Sequence, residues 1–194
     1  MKIKDLCLMT VCLSILIVCS KISFDIGIIS LTLQTFAVAL TGYLLKWKRS
    51  AIVFITYIIM GLIGIPVFSG GGGFFYVLKP SFGFILGFLV GTFITGSNLF
   101  NNSKIAHFTK GVLGLLIADL VGLIYMYFIL KFYMGSANAS VIYVLEAGFL
   151  PFILKDTISV VIAGVIALRL YPVLDSMGTY NKNLINNSKN GQLL

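Results

Sequence analysis

The 194-residue sequence predicts an all-α integral membrane protein, built as a bundle of six transmembrane helices. Hydrophobic residues make up 59% of the chain and charged residues only 10%, and the mean hydropathy is +1.05. Soluble domains are about 45–50% apolar and about 25% charged, so burial in a lipid bilayer explains this composition. Six apolar runs, separated by short polar or basic connections, give the number of helices.

The apolar runs are compatible with the roughly 20 residues that a helix needs to cross the hydrocarbon core. The fourth run is short, and the second contains Thr32, Gln34 and Thr35. Short or polar spans usually face protein interior rather than lipid. The predicted spans cover residues 6–24, 28–45, 51–68, 82–96, 111–132 and 149–171.

The distribution of Lys and Arg over the connections predicts the orientation of the bundle. Six spans place ten of these residues on one side of the membrane and four on the other. The more basic side is cytoplasmic by the positive-inside rule, so we expect both termini in the cytoplasm. The ten are Lys2, Lys4, Lys46, Lys48, Arg49, Lys104, Lys110, Arg169, Lys182 and Lys189, and the four are Lys21, Lys79, Lys131 and Lys155.

We expect one membrane domain, residues 1–174, followed by a disordered polar cytoplasmic tail, residues 175–194, rich in Asn and Lys. The net charge of +8 is scattered between apolar runs, which indicates membrane orientation rather than nucleic-acid binding. The single histidine, His107, and the absence of metal-type cysteine spacing exclude a zinc site and most nucleophile–base pairs. No metal or cofactor is expected, and the protein is not expected to be an enzyme.

A glycine run lies in the outer connection between the third and fourth spans. It lacks the Lys and Ser/Thr of a phosphate-binding P-loop, so we expect no ATP hydrolysis. Phe74, Phe75 and Tyr76 follow it, as either interfacial belt aromatics or the wall of a pocket. We interpret the run as a gate whose backbone approaches a ligand, because glycine permits both close approach and loop motion. Its members are Gly70, Gly71, Gly72 and Gly73.

Charged residues inside a span cost about 2.5–3.5 kcal/mol on insertion scales, so those present indicate a role. Lys155 and Asp156 form either an interfacial ion pair or a polar anchor for a ligand held among the helices. For Asp119 we favour a hydrogen bond within the bundle over a ligand contact. Gln34 makes either a helix–helix hydrogen bond or a contact with a polar ring system.

Four segments form a specific pattern along the chain: SLTLQTFAVALTG, GLIGIPVFSGGGG, KPSFGFILGF and PFILKDTISVVIAG. In order and spacing they resemble the BioY family, the biotin-binding membrane subunits (S components) of energy-coupling factor (ECF) transporters. The resemblance covers residues 1 to about 174, which is the whole of the predicted membrane domain.

The resemblance implies a six-helix bundle of the S-component type, a multi-pass protein of the cell membrane with both termini cytoplasmic. It implies high-affinity biotin binding near the outer face, beneath the loops that follow spans one and three. It also implies a membrane coupling subunit and two ATPase subunits as partners. In such complexes the S component is thought to topple in the lipid bilayer to release its vitamin inside.

The resemblance carries over to individual residues only in part. Gln34 matches the glutamine of the second helix, the glycine run matches the family's glycine loop, and Asp156 matches the aspartate of a G-D-x-x-K motif. Two positions of that motif differ, because Lys155 replaces its glycine and Ser159 its lysine. A second motif, G-P-[ST]-G-G, has become KPSFG at residues 79–83.

The chemistry of biotin suggests how these residues would be used. Its ureido N–H groups need an acceptor such as Asp156 or Gln34, and its apolar parts need Phe or Tyr walls. Its carboxylate needs a cation or backbone N–H groups, for which we predict Lys79 or the glycine-loop amides. If the family's lysine holds the ligand, Lys155 or Lys79 must replace it, or the affinity falls; a changed ligand is the alternative.

The first span of S components usually carries a small-x-x-x-small pattern that docks on the coupling subunit. Thr10 and Ser14 occupy suitable positions on one helix face, and ordinary helix packing is the alternative. Two other functions stay open: an S component for a different vitamin or small metabolite, and an intramembrane enzyme or assembly factor.

Overall fold

The computed structural model describes residues 3–26, 29–97, 103–135 and 140–176, so residues 177–194 of the predicted tail lie outside the described residues. Within these ranges the chain is a helical bundle with one short antiparallel β-hairpin at one end. The helices are α1 (Ile3–Lys21), α2 (Gln34–Leu62), α3 (Phe82–Thr95), α4 (Lys104–Phe128), α5 (Val141–Gly148) and α6 (Leu150–Ser176), and the strands are β1 (Ser23–Ile26) and β2 (Ile29–Thr32).

Helix α2 is a helical hairpin rather than one continuous rod. Lys46 interrupts it with φ 58° and ψ 168°, a conformation that residues other than glycine seldom adopt. Nε2 of Gln34 lies 3.2 Å from the hydroxyl of Tyr57, 23 residues further along, whereas a continuous helix would separate them by about 34 Å. The two antiparallel arms, residues 34–45 and 47–62, correspond to the second and third predicted spans.

All six predicted spans occur as helical segments, namely α1, the two arms of α2, α3, α4 and α6. Within the described ranges, three helices are long and apolar enough to cross a membrane on their own: Ile3–Lys21, Ile105–Tyr133 and Leu150–Leu174. Helix α3 has only 14 residues, and it packs between α2 and α4. A short helix can therefore belong to the bundle, because its neighbours shield it from lipid.

The β-hairpin corrects the bounds of the first two predicted spans. Phe24 lies in β1 rather than in a helix, and β2 pairs with β1 where the sequence predicts the start of the second span. Apolar Ile29 and Leu31 alternate with polar Ser30 and Thr32, which is typical of a strand. The spans were predicted from apolar runs of roughly 20 residues. A strand of four residues is too short to be recognised as a separate element within such a run.

Further bounds differ from the prediction; α6, for example, continues to Ser176, past the predicted end at residue 171. The third span ends at Leu62 instead of residue 68, because Gly64 adopts φ 106° and Pro66 follows, which together stop a helix. Helix α4 begins seven residues before the predicted span, because the Ser103 side chain caps it by accepting the amide of Ala106 at 3.1 Å. The predicted outer connection near residue 146 contains the short helix α5.

Glycines bring α3 and α4 into close backbone contact. A Cβ atom on Gly87 would stand 2.1 Å from the carbonyl oxygen of Ala118, and one on Gly91 would stand 2.5 Å from that of Gly114. Small residues permit such approaches between membrane helices. This contact fixes the position of Asp119, the residue after Ala118, beside the aromatic side chains of α3.

The glycine run forms a hydrogen-bonded turn that leads into the 3₁₀ turn Phe74–Leu78. The amide of Gly73 donates to the carbonyl of Gly61 at 2.7 Å, and its φ of 114° suits only glycine. A Cβ atom on Gly72 would stand 2.4 Å from the carbonyl oxygen of Ile65. Close contacts with the backbone of Gly61 and Ile65 therefore explain Gly73 and Gly72.

Candidate functional site

A cavity lies at the β-hairpin end of the bundle, between α2, α3, α4 and α6. Its volume of about 50 Å³ is several times the roughly 10–15 Å³ that one water molecule requires. A few convergent polar groups on an otherwise apolar wall are typical of small-molecule sites. The polar lining includes Thr32, Gln34, Thr35, Asp119, Lys155 and Asp156, and the apolar and aromatic lining includes Ile29, Tyr76, Phe84, Ile85, Phe88 and Phe152.

The first turns of α6 supply an ion pair to this cavity. Lys155 pairs with the carboxylate of Asp156, and its ammonium also donates to the carbonyl oxygen of Thr32 on β2. Asp156 is 5% exposed and also interacts with the hydroxyl of Thr35. The pair therefore ties α6 to the β-hairpin and holds a carboxylate at the cavity wall.

Gln34, the first residue of α2, supplies an amide. Its side chain is 5% exposed, and its Nε2 donates to the hydroxyl of Tyr57 on the opposite arm. The helix–helix hydrogen bond predicted for Gln34 is thus present. The residue also lines the cavity, and its contact with a polar ring system stays a prediction.

Tyr76 and Lys79 mark the side of the cavity next to the glycine turn. Tyr76 is 4% exposed and lines the cavity, with its hydroxyl 3.3 Å from that of Ser69. Lys79 is exposed and does not line the cavity, but its ammonium lies 4.7 Å from the centre of the Tyr76 ring. It also donates to the carbonyl oxygen of Gly70 at 3.3 Å.

The other residues predicted from the glycine loop lie outside the cavity wall. Phe75 is 80% exposed. Gly71 exchanges two backbone hydrogen bonds with Phe68, and Gly73 is bonded to Gly61, so these two amides have partners within the protein. The backbone of the glycine turn, including Gly72, does not line the cavity. Tyr76, which follows the turn, does line it.

Sequence reasoning did not assign several lining residues to the site. Asp119 lines the cavity, and the hydrogen bond predicted for it within the bundle is not found among the described residues. Thr32 reaches the site through β2, whose alternating pattern was the available signal. Phe84, Phe88 and Phe152 carry no signal of their own in a sequence with 16 phenylalanines.

The two predicted docking residues lie on an outer face of α1. Thr10 and Ser14 are both exposed. Each hydroxyl donates at 3.0 Å to a carbonyl one turn earlier in its own helix, to Leu6 and Thr10 respectively. The face therefore offers small side chains whose polar groups are already satisfied.

A model of the BioY family matches residues 1–176. The chain belongs to the BioY family. It is 33% identical to the biotin transporter BioY of Thermotoga maritima over 159 residues, which are 81% of this chain and 89% of that protein. It is 35% identical to the probable biotin transporter BioY of Pyrococcus horikoshii over 171 residues, 88% of this chain and 98% of the relative.

A solved structure supports the same assignment. The chain is similar to the S-component for biotin from an ECF-type ABC transporter, with a TM-score of 0.74 and 26% identity. The match covers 87% of this chain and 90% of the solved one. The family resemblance seen in the sequence and the predicted all-α membrane bundle are both confirmed, and this BioY chain is a multi-pass membrane protein.

Proposed function

We propose that this chain is the biotin-binding S component of an ECF-type vitamin uptake transporter, which captures biotin at the outer face of the cell membrane. The observation that carries the proposal is the cavity itself, where an amide, an ammonium and buried carboxylates converge on an aromatic wall. Biotin combines a polar ureido ring with an apolar thioether and chain, so it needs both kinds of surface. The named relatives and the solved neighbour are biotin proteins.

The ureido ring is placed at the deep polar wall of the cavity. Asp156 and the side-chain oxygen of Gln34 accept its N–H groups, and Lys155 holds the Asp156 carboxylate in place. Tyr76 and Phe84 then lie along the apolar part of the ligand. Charge-assisted hydrogen bonds of this kind are shorter and stronger than neutral ones.

The carboxylate of biotin is placed at the rim, with Lys79 as its partner. Lys79 is an exposed residue beside Tyr76. Among the described residues its ammonium contacts only the carbonyl oxygen of Gly70 and the face of the Tyr76 ring. A flexible, hydrated ammonium can leave these contacts for an anion. The two bonded glycine amides, Gly71 and Gly73, are less suitable, and Lys155 already serves the ring end.

The basic residues support the proposed orientation of the bundle. Lys46, Lys48 and Arg49 lie at the turn of α2, at the opposite end from the cavity, and cytoplasmic connections are enriched in Lys and Arg. We therefore propose that both termini are cytoplasmic and that the cavity lies toward the outer face. The remaining partners are a membrane coupling subunit and two ATPase subunits, with Thr10 and Ser14 on the docking face of α1.

The departures at Lys155 and Ser159 favour a second candidate, an S component for a different vitamin or small metabolite. Residues four apart share a helix face, so Lys155 puts an ammonium on the face of Ser159, one turn away. A ligand of altered shape is consistent with that shift. No described constellation of side chains favours the third reading, an intramembrane enzyme or assembly factor.

Calorimetric titration of the purified, detergent-solubilised chain with biotin, desthiobiotin and biotin amide tests the proposal. We expect tight 1:1 binding of biotin without turnover. Desthiobiotin keeps the ureido ring and should bind more weakly through lost apolar contact, and biotin amide should bind more weakly because its charge is lost. No heat of binding at millimolar biotin would contradict the proposed function.

A further inference from the structure

Asp119 is a buried carboxylate that no described group satisfies. It lies on α4, lines the cavity and is 5% exposed. No residue in the described part of the chain forms a hydrogen bond or an ion pair with it. A buried polar group normally has a partner, so an unsatisfied one at a cavity wall indicates a place for a ligand.

The charges that line the cavity do not balance. Among the described residues they are Asp119, Lys155 and Asp156. Lys155, the one cation among the described lining residues, is paired with Asp156 and donates to the carbonyl oxygen of Thr32. It acts on Asp119 only through space, without a hydrogen bond or an ion pair. The cavity therefore has one carboxylate in excess, and burial of such a group without a partner is unfavourable.

A ligand that brings N–H donors or positive charge relieves this excess. A cyclic urea offers two N–H groups and no charge. A cyclic guanidinium of the same shape offers an additional donor and a positive charge, and guanidinium–carboxylate pairs are among the strongest hydrogen-bonded contacts.

We propose that Asp119 contacts the ligand and allows the cavity to bind a cationic cyclic guanidinium as well as a neutral cyclic urea. The inference rests on the proposed function and deepens it by naming the class of head group. Asp156, balanced by Lys155, accepts from either ring, whereas Asp119 distinguishes the charged ring from the neutral one.

The test compares biotin with 2-iminobiotin, in which an imino nitrogen replaces the urea oxygen and the ring is cationic at pH 7. Affinities for both are measured by calorimetry on the full-length chain and on Asp119→Asn. We expect the wild type to bind 2-iminobiotin within about tenfold of biotin. Asp119→Asn should lower the affinity for 2-iminobiotin about tenfold or more beyond any loss for biotin, given the usual strength of hydrogen bonds to charged groups.

Two variants serve as controls. Asp119→Glu keeps the charge and should keep the wild-type preference. Asp5→Asn removes the buried carboxylate that pairs with Arg49 at 2.7 Å, at the other end of the bundle, and should leave the ratio of the two affinities unchanged.

Equal losses for both ligands in Asp119→Asn would overturn the inference. Binding of 2-iminobiotin more than about a hundredfold weaker than biotin in the wild type would also overturn it, and this measurement needs no variant to fold. A wild-type chain that ignores biotin contradicts the proposed function instead, while the response of 2-iminobiotin binding to Asp119→Asn still decides the role of Asp119.

Discussion

The side-chain amide of Gln34 donates a hydrogen bond to the hydroxyl of Tyr57 across the two arms of α2. That hydroxyl donates in turn to the carbonyl oxygen of Val67 at 3.1 Å, and Ser20 of α1 donates to the same carbonyl at 2.5 Å. A cavity-lining amide is thus connected, through one fully buried phenol, to the segment that leads into the glycine turn.

Replacing Tyr57 with Phe should lower both stability and biotin affinity. The change removes two buried hydrogen bonds, so we expect a loss of about 1–3 kcal/mol in the free energy of unfolding and a several-fold weaker affinity from a misoriented Gln34. Tyr43→Phe is the matched control, because the buried Tyr43 hydroxyl has no hydrogen-bond partner among the described residues. Thermal unfolding in detergent and biotin titration measure both effects, and equal behaviour of the two variants would contradict the role of Tyr57.

Asp156→Ala should weaken biotin binding by about a hundredfold. The variant removes the proposed ureido acceptor and leaves the Lys155 ammonium without its carboxylate, and truncating a buried charged partner costs about 2–5 kcal/mol in binding. Titration with labelled biotin gives the affinity. Glu146→Gln, an exposed carboxyl on α5, should have no effect, and an unchanged affinity in Asp156→Ala would remove that residue from the site.

Lys79→Ala should weaken binding of the carboxylate end of biotin and leave binding of the ureido end unchanged. The affinity for biotin should fall about tenfold, as expected for a lost charge-assisted contact, whereas that for biotin amide should change little because its carboxylate is absent. Calorimetry on the two ligands measures the difference. The exposed Lys131 provides a control as Lys131→Ala, and parallel losses for both ligands in Lys79→Ala would assign the residue to the fold rather than to the carboxylate.

Gly72→Ala should be far more disruptive than Gly70→Ala. A Cβ atom at Gly72 meets the backbone carbonyl of Ile65 at 2.4 Å, whereas one at Gly70 meets the flexible end of Lys79 at 3.1 Å. We expect Gly72→Ala to lower the free energy of unfolding by about 1–3 kcal/mol, as overpacking usually does. Melting temperatures in detergent check this, and similar values for both variants would show that the turn is not held as described.

Ser14→Trp should abolish co-purification with the coupling subunit without affecting biotin binding. Helix–helix contacts in membranes depend on small side chains, and a tryptophan would separate the two surfaces. Val165→Trp on the exposed side of α6 (44% exposed) is the control and should keep the complex. Retention of the complex with Ser14→Trp would refute docking at this face.

The helical segments were predictable because lipid imposes a length of roughly 20 apolar residues on each span. The short segments were not. The β-hairpin depends on the pairing of two four-residue strands, and α5 has eight residues, so neither produces a long apolar run. The bounds of α4 also depend on one local contact, the cap formed by Ser103.

The candidate site was predictable where a polar residue interrupts an apolar span. Gln34 and Asp156 stand out for that reason, and both line the cavity. Phe75 and Tyr76 are neighbours with the same chemistry, yet one is 80% exposed and the other 4%, because only the 3₁₀ geometry decides which side chain points inward. Asp119 needed the neighbouring helices before its missing partner became visible.

The far end of α1 has a mechanical consequence. Ser20 donates to the carbonyl of Val67, and the ammonium of Lys21 donates to that of Phe68 at 2.6 Å. These two bonds attach the helix to residues 67–68, which precede the cavity-lining Ser69. A protein that binds α1 at Thr10 and Ser14 would contact a helix whose opposite end is bonded to Val67 and Phe68. If α1 tilts, either residues 67–68 move with it or both of these hydrogen bonds break.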